Sequence, residues 1–111
     1  MVFRDFYNLG KVKEALPVLT KFKKLSLENK KSELEILGKL TEETGEVAQA
    51  LLSSNKASGS EYKEKILADV HEECVDVIMV AMSLMYKTGA TETELLEILK
   101  GKTDKWERVT K

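Results

Sequence analysis

Pro17 is the only proline in this chain of 111 residues, and its solitude is the strongest constraint on the fold. Proline breaks helix interiors and central strands alike, so a chain almost without it is free to form long regular elements. Clusters of β-branched and aromatic residues, which would favour sheet, are sparse, with aromatics at only 6%. Apolar residues recur instead three and four apart, the period of a helix.

Four helical segments follow from that period. The first covers roughly Lys11 to Leu27, with Ala15, Leu16, Leu19, Phe22 and Leu25 or Leu27 in register, and Pro17 is expected to bend or delay it. The second runs from about Lys31 to Leu52. SSNKASGS, Ser53 to Ser60, reads as a loop because Ser, Asn and Gly favour turns. A third helix is expected from Ser60 or Glu61, with Ser58 and Glu61 at capping-box spacing, to about Lys87, where Thr88-Gly89 supplies a stop. Thr91 and Glu94 form a second capping-box pair and open the fourth. The expected class is all-α, a four-helix bundle-like protomer in a single domain over residues 1–111, with an N-terminal helical segment 1–28 and a core 31–108. The long apolar third helix offers more surface than one short partner covers, which predicts a homo-oligomeric helical bundle.

Charge and cysteine usage narrow the function classes. With 18 basic and 19 acidic residues the net charge is -1, which gives no broad electrostatic reason to bind nucleic acid or a membrane surface. The single cysteine, Cys74, cannot form an internal disulfide, and the N-terminus MVFRDFYNLGKVKEAL shows no apolar signal core. The most apolar run, Val77 to Met85, is far shorter than the ~20 residues that cross a bilayer. A cytoplasmic location is expected.

The carboxylates carry the chemistry. At about 100° per residue, Leu37, Leu40, Thr44, Val47, Ala48 and Leu51 form one stripe on the second helix, with Glu43 and Glu46 on its margin and Glu42 further out. On the third helix Ile66, Val77, Val80 and Leu84 define an apolar face, Glu73 falls at its centre, and Asp69 and Asp76 fall on its edge. An unpaired carboxylate there would cost several kcal/mol or take up a proton. Each acidic pair on its own is common in helices. If the two helices pack antiparallel, however, Glu43 and Glu46 meet Glu73 and Asp76 near the middle of the hairpin. Four converging oxygen donors call for a divalent cation, and a set without His or Cys favours Mg²⁺ or Mn²⁺.

K-L-x-E-E-x-G-E-x-x-x-A-L, from Lys39 to Leu51, followed by E-E-x-x-D, from Glu72 to Asp76, resembles the MazG-like all-α nucleoside triphosphate pyrophosphatases. That superfamily also includes dimeric dUTPases, dCTP pyrophosphatases and HisE phosphoribosyl-ATP pyrophosphohydrolases. The resemblance spans roughly Lys31 to Arg108. It implies Mg²⁺-dependent cleavage of a nucleoside triphosphate to the monophosphate and pyrophosphate, by water attack at the α-phosphorus. It implies Glu43, Glu46, Glu73 and Asp76 as metal ligands and Glu42 as the residue that orients or deprotonates the water. Lys39, Lys105 and Arg108 become the substrate contacts. The family's terminal N-x-K-F-x-R-R pattern reads Thr103 to Val109 here, keeping Lys105, Trp106 and Arg108 but not the asparagine or second arginine. A homodimer or homotetramer is implied, with a neighbour able to complete each site.

Other residues take quieter roles. His71 is expected on the exposed side, Cys74 and Trp106 in packing, Asp69 as a helix-start charge rather than an extra ligand, and Gly45 as a small residue at a close approach. A di-iron carboxylate bundle needs E-x-x-H on two helices, and the chain has no such motif and one histidine. A non-catalytic helical assembly module and a HisE-like enzyme are the alternatives.

Overall fold

Local signals set the helix ends. A computed structural model describes residues 3–55 and 67–110. They form α1 (Phe3–Glu28), α2 (Glu33–Ser54), α3 (Leu67–Lys87) and α4 (Glu92–Thr110), and no strand occurs among them. The all-α expectation holds. No helix among the described residues is long and apolar enough to cross a membrane. The chain divides into two compact units, Met1–Lys31 and Ser32–Lys111.

In the first unit, α1 starts at Phe3 rather than near Lys11 and continues through Pro17. The proline removes one hydrogen-bond donor but does not end the helix, which has many residues on either side to sustain it. Over its full length the helix has no concentrated apolar face.

The second unit begins at a reciprocal cap. The backbone N–H of Glu35 donates to Ser32 Oγ at 3.1 Å, and the N–H of Ser32 donates to Glu35 Oε1 at 3.3 Å. Two otherwise orphaned donors are satisfied, and the acidic first turn suits the positive end of the helix dipole. At the other end, α2 absorbs Ser53 and Ser54 from the expected loop, and Asn55 closes it with its backbone N–H donating to the Leu51 carbonyl at 3.1 Å. The expected start of α3, with the Ser58–Glu61 cap and Ile66, lies outside the described residues.

The stop at Thr88-Gly89 is as the sequence predicts. Gly89 adopts φ of 97°, a left-handed conformation open to glycine at little cost. Its N–H donates to the Tyr86 carbonyl at 3.0 Å, and that of Ala90 to the Met85 carbonyl at 2.9 Å, which together form a Schellman motif. Thr91 then caps α4, its Oγ1 accepting from the Glu94 N–H at 3.2 Å.

Packing within the second unit joins α2 to α3, and no described residue of α4 brings its backbone close to either. The α2 seam is not the stripe expected from the sequence. Ile36, Glu43 and Ala50, seven residues apart, are buried there, with Leu40 and Val47 half-buried between them. Leu37 and Leu51, at the heart of the expected stripe, are about half exposed, and Thr44 and Ala48 are exposed beside them. The real seam shares Leu40 and Val47 with the expected one but is turned from it by roughly 70°. On α3 the expected face is the packed one: Glu73, Val77, Val80 and Leu84 are all partly buried.

Candidate metal centre

That rotation changes the place of Glu43. It lies in the middle of the α2 seam, 9% exposed, rather than on a margin. Glu73 occupies the corresponding position on α3, and Asp76 stands one turn later at the exposed edge. Each of the three offers a carboxylate oxygen, and these oxygens all lie within 4.8 Å of one another. Like charges near 4 Å repel by about 1 kcal/mol in water and by about 4 kcal/mol in the less polar surroundings of a protein surface. A nearby positive charge, or a proton shared among the acids, relieves such repulsion.

Three of the four sequence-predicted ligands are thus brought together. The fourth, Glu46, is half-buried one turn further along α2 and outside that cluster. Glu42 is exposed on α2, as its position on the helical wheel requires. An open groove of about 520 Å³ runs beside the cluster, lined by His71, Glu72, Glu73, Val75 and Asp76. His71 is exposed as expected, but sequence reasoning did not place it or Glu72 on this groove. Their spacing alone carries the signal: Glu72 and Asp76, four apart, share a flank of α3.

Lys39 supplies local compensation. Its Nζ lies 3.0 Å from Glu43 Oε1 and 3.4 Å from Glu42 Oε1. The hydrogen bond to Glu43, then the charge of Glu42, raise the lysine pKa above its ordinary value of 10.5. Because the folded pKa is the higher one, the stabilisation is complete below pH 10.5 and fades as pH rises through the folded value. The difference in melting temperature between wild type and Lys39→Met, measured without metal, is therefore expected to be constant from pH 8 to 10 and to shrink above that. A difference that grows with alkaline pH would contradict the pairing.

The basic residues of α4 are elsewhere. Lys105 and Arg108 are exposed near the end of a helix that packs on neither α2 nor α3 among the described residues. Within one chain the structure does not bring them to the carboxylates. Trp106, expected in packing, is 69% exposed, and Cys74 is exposed as well. Asp69 stands in the first turn of α3, apart from the cluster. A Cβ built at Gly45 has no neighbour within 4 Å among the described residues, so the expected close approach is not found among them.

The donor set suits a hard divalent ion. Carboxylate oxygens alone, from two facing helices and open to solvent on one side, match the chemistry of Mg²⁺ or Mn²⁺ better than that of zinc or copper. Comparison of the chain with protein-family models, with curated proteins and with solved structures gave no match.

Proposed function

We propose that the chain is a Mg²⁺-dependent nucleoside triphosphate pyrophosphohydrolase, releasing the nucleoside monophosphate and pyrophosphate. The convergence of Glu43, Glu73 and Asp76 across the α2–α3 seam is the observation that supports this reading most. The motif resemblance of Lys39–Leu51 and Glu72–Asp76 supports it independently.

Glu43, Glu73 and Asp76 would hold the metal, whereas Glu46, one turn along α2, lies outside their cluster. A bound Mg²⁺ or Mn²⁺ supplies neutralisation of phosphate oxygens and a more acidic water. The protein's own groups do the remaining work. Glu42, exposed next to Glu43, orients the attacking water and takes its proton. Lys39 lies beside it, and Lys105 and Arg108 contribute charge-assisted contacts to phosphate. The open groove along His71 and Val75 gives the nucleotide room beside the acids.

The distance of α4 from the α2–α3 pair bears on assembly. Leu37 and Leu51 of α2, Val75, Ile78 and Met79 of α3, and Leu96, Leu99 and Trp106 of α4 are each 45% or more exposed. Apolar surface on that scale marks an interaction site. In this reading copies of the chain pack as a homodimer or homotetramer, and a neighbour's Lys105 and Arg108 complete the site. Light scattering is expected to give a dimer or tetramer at micromolar concentration, and a monomer overturns the shared site. The same exposed surface favours a non-catalytic assembly module as the second reading. A pyrophosphate-release assay over canonical and modified triphosphates separates the two. Turnover with Mg²⁺ and none in EDTA supports the enzyme, and no turnover across the panel supports the module.

A further inference from the structure

The ion pair between Lys39 and Glu43 joins two side chains of unequal freedom. The Glu43 side chain is 12% exposed and fixed in the helix seam, whereas that of Lys39 is 42% exposed on a flexible stem one turn away. A carboxylate so enclosed requires a cation nearby, since an isolated buried charge is costly. Lys39 provides one that can withdraw into water without any movement of the backbone. The ammonium also touches the exposed Glu42, so it bridges a packed acid and a solvated one.

We propose that Lys39 is a tethered counter-ion of the metal centre, a deduction that rests on the metal-site reading above. Without a divalent ion it neutralises Glu43 and keeps that carboxylate in place. A divalent ion binding at Glu43, Glu73 and Asp76 brings a second and larger positive charge to the same carboxylate, and Lys39 moves out towards Glu42 and solvent. The lysine therefore lowers metal affinity. Once released, it presents a positive charge to solvent beside the metal centre, where it can meet an anion that the metal attracts. Metal loading and readiness for an anion are thereby linked through one side chain.

Calorimetric titration of the full chain with MnCl₂ at neutral pH tests this, using wild type, Lys39→Met and Lys39→Arg. Methionine keeps the length and apolar stem without the charge, and Lys39→Gln serves as a second neutral variant if the first fails to fold. The neutral variant is expected to bind Mn²⁺ about five-fold more tightly than wild type, from the size of charge effects at partly exposed sites. Lys39→Arg keeps the wild-type affinity. Raising KCl from 0.1 M to 1 M shortens the screening length from about 10 Å to about 3 Å, so the gap narrows. Equal or weaker binding by the neutral variants overturns the counter-ion role while leaving the metal site intact. Absence of Mn²⁺ binding in wild type and neutral variants alike removes the site, and the counter-ion with it.

Discussion

Glu73→Gln is expected to reduce metal-dependent pyrophosphate release by a factor of about 100 or more, and to weaken Mn²⁺ binding on a similar scale. The substitution is nearly isosteric, so it leaves the seam with Val77, Val80 and Leu84 intact. It replaces a charged oxygen donor at the middle of the carboxylate cluster by a neutral amide. The same change removes one of three mutually repelling charges. Without metal, the variant is expected to remain folded, because the amide keeps the shape of the side chain and its capacity to hydrogen-bond. Circular dichroism in EDTA together with calorimetry in MnCl₂ checks both halves. A variant that unfolds in EDTA would assign Glu73 to stability rather than to metal binding.

Ile36→Ala is the second large effect, and it acts through packing. Ile36 is 3% exposed and stands on the α2 seam two turns before Glu43. Truncating a buried isoleucine to alanine costs about 2–5 kcal/mol. In a unit as small as Ser32–Lys111 each kcal/mol shifts the melting temperature by roughly 4–8 °C. The described part of this unit fully buries few other apolar side chains, Ala50 and Tyr86 among them, so little remains to absorb the loss. Urea unfolding is expected to show a reduced midpoint, and Mn²⁺ affinity is expected to fall with it, because Glu43 and Glu73 face one another only while α2 and α3 are packed. A variant of wild-type stability would mean that the seam is held by something other than Ile36.

What could be read from the sequence was whatever the local chain decides. Gly89 and the Thr91–Glu94 pair mark the α3–α4 turn because caps and left-handed stops use neighbouring residues only. Glu73 was legible because Val77, Val80 and Leu84 fix its face. The α2 seam was not, since that helix has two usable apolar faces. Leu37 and Leu51 flank Leu40 and Val47 on the more hydrophobic side, and the chain packs the other flank, with Ile36 and Ala50. A hydrophobic count selects the richer face, but α3 packs where the facing side chains fit. Pro17 misled in the other direction, because one missing donor weighs little against a helix of 26 residues. The separation of α4 from α2 and α3 is likewise a matter of tertiary packing, on which its own amphipathic pattern is silent.

Hydrolysis at the α-phosphorus breaks one defined bond, so the identity of the products decides whether it occurs. The chain is incubated with a nucleoside triphosphate that it turns over, with Mg²⁺ or with EDTA, and the products are separated by anion exchange. Nucleoside monophosphate and pyrophosphate are expected in equal amounts with Mg²⁺, and neither in EDTA. Nucleoside diphosphate with inorganic phosphate, or monophosphate formation that survives EDTA, would contradict it.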